Sequence, residues 1–152
     1  MVRLLLAAGL GAAIGLEREY RRKAAGLRTN ILIALGSALF TTLSIQIGRE
    51  GSTPDRIAAQ IVTGIGFLGA GAILRSGRNV HGMTTAATIW VNAAVGVACG
   101  AGQFAMASVA TTITLAVLAL LPPVEAYFDR RAGLFRRRAS DRSLPDNDRD
   151  LP

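Results

Sequence analysis

The chain has 152 residues, of which 51% are hydrophobic, and it carries 17 Lys and Arg against 10 Asp and Glu. Because the hydrophobic residues fall in runs of 15 to 21, they favour one membrane domain over a soluble core. The basic residues flank these runs, which is typical of membrane orientation and not of a nucleic-acid partner, and the single cysteine, Cys99, excludes an internal disulfide.

The first predicted helix covers residues 2–16 and is short for a full span, so we expect a thinned bilayer or a start upstream of Met1. Glu17 opens a charged segment that ends at Lys23 and is expected to be a solvated loop or a helix extension. Arg28 leads into the second helix, residues 27–47. One face of that helix predicts contact with another helix, although its hydroxyls can also bond to their own backbone. This face consists of Asn30, Ala34, Ser37, Thr41 and Ser44.

The third helix has a strong start signal in Ser52, Thr53, Pro54 and Asp55: a hydroxyl cap, a proline at the first position and an acid in the first turn. Asp55 is therefore explained by capping and the helix dipole before any function is invoked. Gln60 follows about one turn into the helix.

Two uncharged runs, residues 57–74 and 83–100, form the predicted packed centre of the bundle. Eighteen helical residues rise about 27 Å, close to the thickness of a bilayer's hydrocarbon core. Small residues let helix backbones approach closely in a membrane. The predicted packing residues are Gly64, Gly66, Gly69, Ala70 and Gly71.

The same glycines match the phosphate-binding pattern G-x-G-x-x-G from Gly64 to Gly69. That motif requires a preceding strand and an acidic residue about 20 positions later, where this chain has Ile89 in an uncharged stretch. We therefore interpret these glycines as packing residues and predict no nucleotide cofactor.

The turn at residues 75–82 contains His81, the only histidine, which has no Cys, His or acidic residue at ligand spacing, so no zinc site is predicted. In the fourth helix, Thr84, Thr88 and Asn92 form a polar stripe at i, i+4 and i+8 that should face protein. Asn92 is the most costly of the three to bury, because its amide needs several partners.

The fifth helix is predicted over residues 104–121, where Pro122 and Pro123 should stop it. Its four hydroxyl residues are expected to bond to their own backbone: Ser108, Thr111, Thr112 and Thr114. These helices make residues 1–121 one membrane domain. Residues 122–138, aromatic and arginine-rich, should lie on anionic lipid, and the polar residues 139–152 should be disordered.

Three stretches resemble the MgtC/SapB family of small bacterial inner-membrane proteins. They are GLEREYRRKAAGLRTNILIALGSALF (15–40), AAQIVTGIGFLGAGAILRSGRNVHGMTTAATIW (58–90) and NAAVGVACGAG (92–102). The resemblance implies a multi-helix membrane domain linked to magnesium limitation and intracellular survival, with activity attributed mostly to regulation of other membrane proteins. Many members continue into a soluble cytoplasmic domain that is not found here, so we expect roles of that domain to be missing.

No motif for covalent catalysis is present, so we predict no enzyme and no cofactor or metal. We expect an all-α polytopic membrane protein of about five transmembrane helices that regulates or assists other membrane proteins, with the lipid bilayer, other membrane proteins and a second copy of itself as partners. The residues expected to carry this function are Glu17, Arg28, Asn30, Asp55, Gln60 and Asn92.

The alternative function is a transporter of magnesium, another cation or a small solute, whose path Glu17, Asp55, Gln60 and Asn92 would line. Against it stands the absence of a carboxylate at the centre of any predicted helix, where magnesium would need oxygen ligands. A third interpretation, purely structural packing, gives no reason for the polar start of the second helix at residues 28–30.

Charge also predicts orientation. Residues 17–28, 75–82 and 122–138 hold twelve Lys and Arg, whereas the opposite side holds Arg3, Arg49 and Arg56. Basic residues concentrate on the cytoplasmic side of membranes. We therefore expect the N-terminus outside and the C-terminal tail in the cytoplasm of a bacterial inner membrane.

Overall fold

The computed structural model describes the backbone of residues 1–48, 56–76 and 79–141. Over these ranges the chain forms five α-helices and one antiparallel β-hairpin. In chain order the elements are α1 (Val2–Tyr20), α2 (Leu27–Gly48), α3 (Arg56–Gly71), β1 (Leu74–Ser76), β2 (Asn79–His81), α4 (Met83–Gly100) and α5 (Phe104–Asp141). The predicted all-α class is confirmed. The chain divides into two compact units, Met1–Val117 and a second that begins at Leu118.

Three helices within the described ranges are long and apolar enough to cross a membrane, namely Leu27–Gly48, Met83–Gly100 and Phe104–Val124. Ala59–Gly71 is a shorter apolar helix. α1 reaches 19 residues only by including the charged residues Glu17, Arg18 and Glu19, so its apolar part is short, as predicted.

α2 lies at the centre of the first unit, packed between α1 and α4. Its residues Ala34 and Ala38 are fully buried. A β-carbon added to Gly11 of α1 would lie 2.8 Å from the Ala34 β-carbon, and one added to Gly100 of α4 would lie 2.5 Å from the Ala38 carbonyl oxygen. The backbones therefore touch directly, and dispersion across such close contacts holds membrane helices together.

The predicted contact face of α2 is confirmed, because all five of its residues are buried: Asn30, Ala34, Ser37, Thr41 and Ser44. Gly96 of α4 also faces this stripe, and a β-carbon added there would collide with the Ala34 carbonyl oxygen. Small side chains at helical spacing thus bring α4 onto α2 along most of its length.

α3 packs on α2 and α4 from the side, and the prediction that its glycines form the packed centre is wrong. Gly64, Gly66 and Gly71 are exposed, with no atom within 4 Å of an added β-carbon. Ala70 is also exposed, and only Gly69 is buried, 3.7 Å from Ala86. Packing on this side instead uses larger apolar residues, because the buried face carries Ile61 and Ile65 against Ile89, Ala93 and Ala25.

Two helix ends differ from their predicted positions. α1 continues to Tyr20, so the charged segment begins as a helix extension. α5 does not stop at Leu121 but passes through Pro122 and Pro123 to Asp141. Proline removes an N–H and kinks or breaks a helix in water, whereas membrane helices tolerate it more often. Residues 142–152 of the predicted tail lie outside the described residues, as do Ser52, Thr53, Pro54 and Asp55.

The predicted turn between α3 and α4 contains the short hairpin, with Leu74 paired to His81 and Ser76 to Asn79. Gly82 follows it at φ +88° and is the N-cap of α4. A β-carbon added to Gly82 would collide with the Ala72 carbonyl oxygen, so both the left-handed backbone and the lack of space require glycine here.

Candidate functional site

Two fully buried asparagines join α4 to the start of α2. The Asn92 amide nitrogen Nδ2 donates to the Asn30 backbone oxygen at 2.7 Å and to Asn30 Oδ1 at 3.1 Å. Asn30 Nδ2 in turn donates to the carbonyl oxygens of Ala25 at 2.8 Å and Gly26 at 2.9 Å. This amide network therefore links α4, α2 and the loop before α2, and it unites two residues that the sequence singled out.

The network accounts for the polarity of both asparagines. Neither side chain has exposed surface, so an unpaired amide would be costly to bury. Donation to two oxygens of Asn30 also determines which end of the Asn92 amide is nitrogen. Asn92 Oδ1 contacts no hydrogen-bonding group among the described residues. Asn92 thus acts in this structure as a donor that holds α4 to α2.

A buried charge at the end of α1 extends the polar contact toward α4. Arg18 is only 3% exposed, with Nη2 3.5 Å from Thr85 Oγ1 of α4 and Nη1 3.7 Å from Glu17 Oε2. Glu17, itself largely buried, also pairs with Arg21 one turn later. A buried guanidinium needs such partners. The prediction that this charged segment is solvated is therefore wrong for Glu17 and Arg18.

Sequence reasoning missed Arg18 and Thr85, although a signal for Arg18 was present. Arg18 continues the buried face of α1 that runs through Ala7, Gly11 and Ile14 at steps of three and four residues. Thr85 is buried beside the predicted polar stripe of α4, whereas Thr84, a member of that stripe, is exposed. The side chains of consecutive residues point in directions 100° apart around a helix. A stripe of only three residues therefore does not fix which of two neighbouring threonines faces the interior.

The turn between α1 and α2 is held by its own backbone. The N–H groups of Arg22 and Lys23 donate to the carbonyl oxygens of Glu19 and Arg18, respectively. Arg22 has φ +53°, a left-handed conformation that costs a non-glycine residue roughly 1–2 kcal/mol. Glu19 Oε2 accepts the Leu27 N–H at 3.0 Å, which satisfies a donor at the start of α2.

A groove of about 1600 Å³ lies between α2 and α3, with α4 at its floor. Apolar side chains line most of it, among them Leu32, Phe40, Ile61, Ile65 and Ile89. The predicted residue Gln60 lines the far end. Neither Asn30, Asn92 nor Glu17 lines this groove. The two asparagine side chains therefore lie behind the groove, whereas Ala25, Gly26 and Thr85, the hydrogen-bond partners of Asn30 and Arg18, line it.

The mouth of the groove is polar. It contains Arg28, which together with Gln60 makes two predicted functional residues in the groove lining. Lys23, Arg28 and Thr29 are exposed there, beside Glu19. Because the charges lie at one end and the apolar residues along the wall, the groove is amphipathic.

The hydroxyls of α5 bond to their own helix, as predicted. Ser108, Thr111, Thr112 and Thr114 each donate to the carbonyl oxygen four residues earlier, at 2.7–2.9 Å. His81 is exposed, and no cluster of three or more His, Cys, Asp or Glu residues occurs within the described ranges.

Comparisons with known proteins find one protein family and several curated relatives. The model of the MgtC family matches residues 4–127. Protein MgtC of Brucella abortus (strain 2308) is 56% identical over 115 residues, which are 76% of this chain and 48% of the relative. Protein MgtC of Salmonella typhimurium (strain LT2) is 54% identical over 121 residues, 80% of this chain and 52% of the relative. The chain thus spans about half the length of these curated relatives. No solved structure matches.

Proposed function

This chain belongs to the MgtC family, and we propose that it is a membrane regulator that acts by contact with other membrane proteins. The proposal includes a link to magnesium limitation and to stress or virulence adaptation, which rests on the family resemblance. The protein has no enzymatic activity under this proposal, and the partner is another membrane protein or a second copy of the chain.

The observation that carries the proposal is an exposed face of small residues on α3. Ala59, Thr63 and Gly66 follow one another at i, i+4 and i+7, and all three are exposed and do not line the groove. This outward face contains Gly66, one of the predicted packing residues, whereas Ala70 lines the groove. Small residues on an exposed membrane helix let another backbone approach closely, and helix contacts in membranes are enriched in them. This face is therefore suited to pack against a transmembrane helix of a partner.

The pairing and position of the buried polar groups favour a regulator over a transporter. Asn30 and Asn92 bond to each other and to backbone oxygens, and Glu17 pairs with arginines. The two asparagines hold α4 to α2. Among the described residues, Asn92 Oδ1 and both Glu17 carboxylate oxygens accept no hydrogen bond. Asp55, also named in the transporter hypothesis, lies outside the described residues. A cation path needs oxygens that an ion can reach, and neither Glu17 nor Asn92 lines the groove.

The test measures magnesium flux into liposomes that contain only this purified protein. A regulator acts through its differential affinity for states of a partner, so we expect no flux above empty vesicles. In cells, Asn92→Ala and Asp55→Ala should weaken growth under low magnesium. Magnesium flux that Asp55→Ala abolishes would overturn the regulator in favour of the transporter.

A second experiment tests the outward face. Crosslinking in membranes followed by mass spectrometry should capture a membrane protein or a second copy, and Gly66→Leu should reduce that capture because the larger side chain separates the two backbones. Gly9→Leu is the matched control, since Gly9 is also exposed with open space around it. If Gly66→Leu and Gly9→Leu capture the partner equally well, the outward face of α3 is not the contact surface.

We also propose that the N-terminus lies outside and the C-terminal tail in the cytoplasm, because the basic loops favour that orientation. With Cys99 replaced by serine, an impermeant thiol reagent applied from outside should label Ser52→Cys and not Gly77→Cys. Labelling in the reverse pattern would refute this orientation.

A further inference from the structure

We propose that the groove between α2 and α3 binds one anionic phospholipid, with its phosphate at Lys23 and Arg28 and its acyl chains along the apolar wall. This inference does not depend on the regulatory function. It concerns the groove, whereas the partner contact proposed above concerns the outward face of α3.

Charge at the mouth of the groove favours an anionic head group. Among the described residues, neither Lys23 nor Arg28 forms an ion pair, and both are exposed. Glu19 also lines the mouth, where its Oε2 accepts the Leu27 N–H, so two basic side chains stand against one acid there. Thr29 adds a hydroxyl beside them. Basic pockets between helices at a membrane surface bind phospholipid head groups, and a guanidinium can hold two phosphate oxygens.

The length of the groove favours acyl chains over a transmembrane helix. Its wall on α2 runs from Arg28 to Phe40, a rise of about 18 Å at 1.5 Å per residue. One leaflet contributes half of a hydrocarbon core of about 30 Å, so its chains occupy about 15 Å. The wall therefore matches the length of the acyl chains of one leaflet. The polar side chain of Gln60 lies at the far end.

Space along the wall comes from glycines on both sides. Gly36 of α2 and Gly64 and Gly71 of α3 line the groove, and none has an atom within 4 Å of an added β-carbon. Leu32 is 67% exposed there and Phe67 is 82% exposed, so apolar side chains border this space. Acyl chains in the groove would cover them.

The experiment counts lipids bound to the full chain by native mass spectrometry. Delipidated protein in detergent is mixed with phosphatidylglycerol or phosphatidylcholine. We expect one phosphatidylglycerol to bind more tightly than phosphatidylcholine. Lys23→Gln and Arg28→Gln should each lower the phosphatidylglycerol affinity roughly fivefold, the effect expected of one basic side chain near an anionic surface. The control Arg22→Gln removes a charge from the same turn that does not line the groove.

A matched pair of glycine variants locates the lipid. Gly64→Leu fills the groove and should abolish binding of this lipid, whereas Gly66→Leu, on the opposite side of the same exposed helix, should leave it intact. Gly36→Leu, on the other wall, gives a second variant if Gly64→Leu fails to elute as a folded protein in size-exclusion chromatography. Equal affinity for both lipids, or equal loss in Gly64→Leu and Gly66→Leu, would overturn the proposal. So would a photocrosslinker at Leu32 that captures a polypeptide in membranes and no lipid.

Discussion

The glycines of α4 and those of α3 look alike in the sequence but lie in opposite environments. Gly96 and Gly100 of α4 are buried against the backbone of α2, where an added β-carbon would meet the carbonyl oxygens of Ala34 and Ala38. Gly64 and Gly66 of α3 have open space around them. Small residues in a membrane helix thus indicate that another backbone can approach closely. Only the fold decides whether that backbone belongs to the same chain.

The largest effect should follow from filling the α2–α4 contact. Gly96→Leu places a branched side chain against Ala34 and Ser37, where a single β-carbon already collides. Overpacking typically costs 1–3 kcal/mol, and more where backbone must move. We expect loss of most folded protein, measured as the thermal midpoint in detergent. Gly9→Leu on α1 is the control and should keep the wild-type midpoint. A stable Gly96→Leu protein would mean that α4 does not pack on α2 as described.

An intermediate effect should follow from removing the asparagine contact in the same interface. Asn92→Ala deletes the donor to Asn30 and should cost about 1 kcal/mol, within the range for hydrogen bonds between membrane helices. A double-mutant cycle with Asn30→Ala, measured by denaturant titration in micelles, should give a coupling of at least 0.5 kcal/mol. Thr84→Ala, exposed on the same helix, is the comparison and should change little. If the losses of stability in the two single variants simply add in the double variant, the two asparagines do not stabilise each other and the prediction is wrong.

The smallest effect should follow from filling the outward face of α3. Because Gly66 is exposed with no neighbour, Gly66→Leu should change the stability of the isolated protein by no more than about 0.5 kcal/mol. The measurement is again the midpoint in detergent, with the protein shown to be a single copy by light scattering. If Gly66→Leu instead destabilises as strongly as Gly96→Leu, the contrast between α3 and α4 is wrong.

The polar residues divide in the same way as the glycines. Asn30 and Asn92 were identified from spacing and are joined in the fold, since each lies on the small-residue face of its helix. Arg28 and Gln60 lie near the starts of α2 and α3, and both are exposed along the groove. The sequence does not predict a buried Arg18, because a charged residue among other charged residues is typical of a solvated segment. In the structure Arg18 lies on the face of α1 that contacts α4.

Regular spacing allowed the sequence by itself to determine which residues of α2 face inward, where α4 begins and ends, and that the hydroxyls of α5 bond to their own backbone. Each of these follows from the period of one helix. Only the tertiary structure decided which helices touch, that α2 is central, and that Gly64 and Gly66 are exposed on the surface of the chain. The physical reason is that small residues permit close approach without specifying the neighbour, and membrane helices gain no hydrophobic energy from one another that would reveal it.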